Sequence, residues 1–367
     1  MKTLKVIVGG GGTGGHIFPA VSIANELKKQ LQDNVEILFV GALGRMEMER
    51  VPNEGYEIVG LPVQGFIRKP TLKNFVVLWN LYKSLRMARK VVKDFKPDVV
   101  VGVGGYASGP LAHVAAKQGV PIVLQEQNSY AGVTNKLLAK LATKICVAYE
   151  GMERFFPADK IILTGNPVRQ AIIENSIPKN QALDFFGFTS DKKVILSLGG
   201  SLGARTINQS IEAALPFIVE SRVQFIWQTG KHYKAKADAA VKAIKAENIY
   251  VADFISRMDM AYVAADLVIS RAGASTISEL CLIGKASVLV PSPNVAEDHQ
   301  TKNAQALERN GAAVMIRDID AETALIQTTL DLIVDVEAMQ NLEKNILTMA
   351  LPNSAELIAE EVLKVLE

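Results

Sequence analysis

The sequence predicts an α/β protein made of two doubly wound domains, and three observations carry that prediction. Short aliphatic runs alternate with amphipathic helical patterns along nearly all 367 residues, the rhythm of βαβ units on a parallel sheet. A strand–glycine loop–helix design opens the chain at KVIVGGGGTGGHIFPAVSIANEL, residues 5–27, and recurs at VILSLGGSLGARTINQSI, residues 194–211. The length exceeds what one hydrophobic core ordinarily supports. A composition of 49% hydrophobic but only 6% aromatic residues suits aliphatic strands covered on both faces.

In the first half the apolar runs predict strands at 4–8, 35–40, 98–103, 121–124 and 144–148. The second half predicts them at 194–198, 223–227, 249–252, 266–269, 286–290 and 312–316, with helices between. The turn-rich TGNPVR, residues 164–169, is the expected join.

The opening loop places six glycines and His16 between a strand and a helix whose first turn is expected to hold Pro19. Unpaired amides and the helix dipole at such a start suit a phosphate. GVGGYASGPLAHVAA, from Gly102, and SRAGASTISEL, from Ser270, add two more glycine loops ahead of helices. One dinucleotide needs one such loop, so loops divided between two domains fit two domains with different ligands better. Gly9, Gly11 and Gly14 do match a dinucleotide fingerprint, but VEILFVGA ends in Gly41 and Ala42, with Glu36 at the wrong end to hold a ribose. No GxxxxGK[ST] sequence occurs.

A net charge of +2 gives no global reason to expect a nucleic acid partner. Cys146 and Cys281 lie in apolar contexts and read as buried thiols. No run approaches the ~20 apolar residues of a membrane span. MKTLKVIV breaks into glycine before an apolar signal region forms, so a reducing compartment, the cytoplasm, is expected.

GGTGGH, GVGGYASGP, QEQN, GNPVR, GGSLGA, RAGASTISE and EDHQTKNA occur in the order and approximate spacing of the MurG family of bacterial glycosyltransferases. The chain resembles that family over nearly its whole length. The resemblance implies the GT-B fold, two Rossmann-like domains facing across a cleft, with a C-terminal helix crossing back to the first. Domains of 1–166 plus 351–367 and of 167–350 follow. NSAELIAEEVLKVLE, residues 353–367, suits the returning helix, with Asn353 expected as its cap. The implied activity is inverting transfer of N-acetylglucosamine from UDP-N-acetylglucosamine to lipid I, giving lipid II for peptidoglycan, without a cofactor. A UDP-N-acetylglucosamine 2-epimerase is the alternative within the fold, and a nucleotide-sugar-binding regulator is one outside enzymology.

The resemblance also implies site residues. Ser201 would contact the diphosphate, Ile255 the uracil through its backbone, and Arg169 the donor. Ala274, Ser275, Thr276, Ile277, Ser278 and Glu279 would face diphosphate and sugar, with Glu279 on the ribose hydroxyls. Thr13, Gly14 and Gly15 would reach the donor from the first domain, and Asn128 and Gln300 would bind the sugar. The family's HEQN reads QEQN here, so Gln125 stands where a histidine often sits. His16 and Glu126 are the candidate bases: histidine has the right ordinary pKa, although either residue also suits binding or positioning. His299 precedes Gln300 and lines the pocket in this reading.

Asp318-Ile319-Asp320 matches a DxD string, but it precedes a helix, so Asp320 reads as an N-cap and no metal site is expected. Residues 67–97 carry nine positive charges against Asp94 alone. There Leu78, Leu81, Leu85, Ala88, Val92 and Phe95 should pack on the sheet, leaving Phe75, Val76 and Trp79 partly outside the stripe. Apolar residues beside a basic cluster fit an anionic membrane surface, which implies a peripheral protein on the cytoplasmic face of the cell membrane.

Overall fold

The computed structural model describes residues 3–32, 34–65, 73–168, 172, 176–200, 203–295 and 298–367. It divides into two units, residues 1–168 with 351–367 and residues 169–350. The division falls within TGNPVR, two residues beyond the domain boundary expected at residue 166.

The first unit is a parallel sheet of β1 (Leu4–Gly9), β2 (Val35–Ala42), β3 (Glu57–Leu61), β4 (Val99–Gly102), β5 (Ile122–Glu126), β6 (Lys144–Val147) and β7 (Ile161–Leu163). Their order is β3-β2-β1-β4-β5-β6-β7, so the direction of winding reverses between β1 and β4. The crevice beyond the strand ends at such a switch point is where doubly wound folds bind ligands. Strands β3 and β7 add to the sequence-based expectation, and each is a short run at an edge of the sheet.

One face of this sheet is covered by α1 (Gly14–Gln30) and by the chain's final helix, Ser354–Lys364. Ile17, Ile23 and Leu27 of the former share a core with Ile358, Ala359 and Val362 of the latter. Burying each such aliphatic side chain contributes about 1.5–3 kcal/mol. Because α1 already starts at Gly14, Pro19 lies in its second turn and not its first. It therefore supplies no amide to the Gly15 carbonyl.

Helix α2 (Glu47–Asn53) adds Val51 to that same core, and on the other face lie α3 (Lys73–Phe95), α4 (Ser108–Lys117) and α5 (Val133–Leu138). Ala88, Val92, Leu111 and Leu138 join the core on this other face. Leu78, expected in the packing stripe, is instead half exposed, and Val77 is buried in its place. Phe75 is 72% and Trp79 58% exposed, as a position outside the stripe requires.

The second unit repeats the design with β8 (Lys193–Leu198), β9 (Val223–Gln228), β10 (Ile249–Ala252), β11 (Leu267–Ser270), β12 (Ser287–Leu289) and β13 (Val314–Met315). Their order, β10-β9-β8-β11-β12-β13, again reverses direction beside the first strand. The helices α6 (Lys179–Phe186), α7 (Arg205–Ala213), α8 (Leu215–Glu220), α9 (Lys234–Ala243), α10 (Met258–Ala264), α11 (Ala274–Ile283), α12 (His299–Arg309), α13 (Ala321–Val334) and α14 (Val336–Thr348) surround it, making the final helix α15. Cys146 and Cys281 are free and buried, and burial pushes both thiols up to about 12. Asp320 and Asn353 do occupy N-cap positions, but neither side chain caps its helix. Among the described residues, no helix is long and apolar enough to cross a membrane.

Candidate functional site

In the first unit, Gly9 and Gly102 end the paired strands at the switch point, and both glycine loops start there. The loops touch. A Cβ on Gly105 would lie 2.3 Å from the Gly11 carbonyl oxygen, and Gly105 has a φ of +82°. Only glycine meets both requirements. Thr13 leads into α1, and its hydroxyl lies 3.0 Å from Nδ1 of His16. The other edge of the imidazole lies against Gly104, where a Cβ would sit 3.1 Å from His16 Nε2. With the proton on Nδ1, Thr13 accepts it and Nε2 carries the lone pair that a base needs. Thr13 is exposed, and Gly14, Gly15 and His16 are half-buried, so this turn is open to a ligand.

Glu126, at the end of β5, is only 1% exposed. Oε1 accepts from the amide of Asn128 at 3.1 Å and from its side-chain nitrogen at 3.3 Å. Oε2 accepts from the Gly132 amide at 3.0 Å and from Asn135 Nδ2 at 2.9 Å. Burial raises the pKa of this carboxyl above its ordinary value, while the four donors act in the opposite direction. The arrangement wraps residues 127–132 around the carboxylate and commits the Asn128 amide group to it. Gln125 is fully buried, donating to Asn166 at 2.8 Å and accepting from Gln127. It is part of the wall under the loop.

In the second unit, the loop after β11 leads into α11, where Gly273 stands at the N-cap with no side-chain cap. Ser275 Oγ is buried there with no hydrogen-bond partner among the described residues, and Ser278 donates back to the Ala274 carbonyl at 3.0 Å. Thr276 and Ile277 complete the first turns of α11. Glu279, 6% exposed, accepts from the Tyr262 hydroxyl of α10 at 2.8 Å, which fixes one carboxylate oxygen. Gln300, in the first turn of α12, accepts from the Ser292 amide at 2.8 Å. Ile255 is buried just beyond β10, next to exposed Phe254. Arg169 and Ser201 lie outside the described residues.

The structure adds residues that the sequence reading passes over. Arg271 donates to the carbonyls of Val290 and Pro291 at 3.0 and 3.3 Å and pairs with Asp318. Thr206 donates to the other Asp318 oxygen at 3.0 Å, so both oxygens of the DxD-like string's first aspartate are engaged within the protein. Asn303 donates to the Ala272 carbonyl at 3.3 Å, tying α12 to the loop before α11. Both Arg271 and Asn303 lie within motifs that the sequence displays, RAGASTISE and EDHQTKNA; what sequence could not supply was their partners.

The glycosyltransferase family 28 N-terminal domain matches residues 6–147 and the family 28 C-terminal domain residues 194–359. A relative from Parabacteroides distasonis is 60% identical over 367 residues, 100% of each chain. One from Bacteroides fragilis is 58% identical over 98% of this chain and 95% of its own. Both are named UDP-N-acetylglucosamine–N-acetylmuramyl-(pentapeptide) pyrophosphoryl-undecaprenol N-acetylglucosamine transferase. The crystal structure of Acinetobacter baumannii MurG superimposes with a TM-score of 0.77 at 29% identity, covering 98% of this chain and 99% of that one. A UDP-GlcNAc 2-epimerase from Neisseria meningitidis shares the fold, with a TM-score of 0.68 at 18% identity over 98% of this chain and 100% of that one.

Proposed function

The chain belongs to glycosyltransferase family 28, and from that premise we propose that it transfers N-acetylglucosamine from UDP-N-acetylglucosamine to lipid I, the undecaprenyl-pyrophosphoryl N-acetylmuramoyl peptide, yielding lipid II. The observation that carries the proposal is the 60% identity, over the whole of both chains, to a transferase named for that reaction. The likeness to the epimerase, at 18% identity, is one of fold.

In this reading the second unit holds the donor. Helix α11 and its uncapped start meet the diphosphate with amides and with the Ser275 hydroxyl, and Glu279 accepts from the ribose hydroxyls. Ile255 meets the uracil, Gln300 and Asn128 the sugar, and Arg169 and Ser201 the remainder of the donor. Thr13, Gly14 and Gly15 approach it from the first unit. His16 is the base: Nε2 takes the proton of the acceptor hydroxyl as that oxygen attacks the anomeric carbon. The bond to UDP breaks in the same displacement, with inversion, and preorganised amides stabilise the leaving diphosphate. Glu126, enclosed by four donors, acts by holding the Asn128 loop and not as the base.

The lipid-linked acceptor requires approach to a membrane. The exposed start of α3 and the basic run of residues 67–97 support docking on an anionic leaflet at the cytoplasmic face, each nearby Lys or Arg adding about 1 kcal/mol. Incubation with labelled UDP-N-acetylglucosamine and a lipid I analogue tests the proposal. Label should appear in a lengthened lipid with release of UDP; an epimerised UDP-sugar as the sole product would favour the isomerase.

A further inference from the structure

Glu47, at the start of α2, carries a carboxylate for which the proposed reaction has no use, yet the residue is only 1% exposed. Its Oε2 accepts from the Gly12 amide at 2.8 Å and its Oε1 from the Ala42 amide at 2.9 Å. The side chain occupies a slot that two glycines leave open. A Cβ on Gly11 would lie 2.3 Å from Glu47 Cδ, and one on Gly41 would lie 2.5 Å from Cγ. A buried carboxylate is costly unless its hydrogen bonds are made, and here they tie the end of β2 to the loop after β1. Gly12 is thereby held at a φ of +94°, one residue before Thr13, which orients the His16 ring at 3.0 Å. The same bond withdraws the Gly12 amide from any bound anion.

We infer that Glu47 is a positioning residue for the transfer step, fixing the first glycine loop so that Thr13 holds the His16 ring in one geometry toward the acceptor. The inference rests on the transferase reading above. Displacing a reacting group by about 1 Å can cost on the order of 100-fold in rate. Glu47→Gln keeps the shape but turns an N–H toward one of the two donor amides. Gly41→Ala leaves Glu47 chemically intact and drives a methyl group into its slot.

Steady-state transfer to a lipid I analogue should show kcat reduced at least about tenfold in each single variant. KM for UDP-N-acetylglucosamine and the number of UDP sites by calorimetry should stay within about twofold of wild type, since donor contacts lie mainly in the second unit. The double variant should be little worse than either single one, because both changes disrupt one contact. Three results would overturn the inference: Glu47→Gln turnover within about twofold of wild type, UDP sites lost in proportion to turnover, or fully additive losses in the double variant. Wild-type transfer, measured alongside, reports separately on the transferase reading.

Discussion

Two acidic residues, both nearly inaccessible to solvent, have different expected behaviour because their partners differ. Glu279 is held through one oxygen by Tyr262 at 2.8 Å. If it also accepts from ribose hydroxyls, Glu279→Ala should weaken UDP binding by about 1–3 kcal/mol, the scale of hydrogen bonds to a charged group. Tyr262→Phe, which leaves the carboxylate in place, should weaken it less. Titration calorimetry measures both, and an unchanged affinity in Glu279→Ala would remove the residue from the ribose. Glu126 titrates above the ordinary carboxylate value of 4.5, chiefly because it is buried. Below 4.5 it is protonated in the folded and the unfolded chain alike. As pH rises, the unfolded chain releases its proton first, so stability falls until the folded-state pKa is passed. Glu126→Gln lacks this titration, so its Tm relative to wild type should climb as pH rises above about 4.5; a flat difference would contradict the raised pKa. Sequence exposed the motif glycines and His16 plainly, because their chemistry is local. It could not reveal Glu47, whose meaning depends on Gly11 and Gly41 approaching from separate strand ends, nor the Arg271–Asp318 pair, whose partners are 47 residues apart.

At the scale of elements, period and length decided what could be read. The long interior strands β1, β2, β8 and β9 are rich in apolar residues, and the sequence placed them within a residue or two. Strands β3 and β7 lie at the two edges of their sheet and are short and only partly buried, so pairing with a neighbour defines them. The run expected at 312–316 shortens to Val314–Met315 for the same reason. Helix α3 shows the limit of a periodicity argument. Its stripe correctly included Ala88 and Val92, but near the helix start the buried residue is Val77 and not Leu78. The outcome enlarges the exposed apolar end: Phe75, Val76, Leu78, Trp79 and Tyr82 are all open to solvent, with Trp79 and Tyr82 stacked at 5.7 Å and Lys83 5.5 Å from the Trp79 ring. Of the basic residues on this segment, those at 68 and 69 lie outside the described residues. Sedimentation with anionic vesicles should therefore bring the protein down, less so as salt rises. Replacing Lys69, Lys73, Phe75 and Trp79 together should sharply reduce the bound fraction; a variant that sediments as well as the parent would place the docking surface elsewhere.

For the whole molecule, the repeated strand order is the organising fact, since each unit opens its own switch point beside its own glycine loop. That duplication was legible because strand, glycine loop and helix recur in one order, at residues 5–27 and again at 194–211. The last helix was legible as amphipathic, but its place on α1 is a tertiary fact, built by Ile358, Ala359 and Val362 in the first unit's core. A UDP-GlcNAc 2-epimerase shares this two-unit design, so the fold does not separate a transferase from an isomerase and only the product does. The most direct test follows the donor's anomeric carbon. UDP-N-acetylglucosamine carrying ¹³C at that carbon is incubated with the protein and a lipid I analogue, and the label is followed by NMR while released UDP is counted. The proposed function predicts that the α-linked signal of the nucleotide sugar is replaced by a β-glycosidic signal on the lipid, with one UDP released for each linkage formed. Label that remains on the nucleotide, whether unchanged or epimerised, while the acceptor stays intact would contradict it.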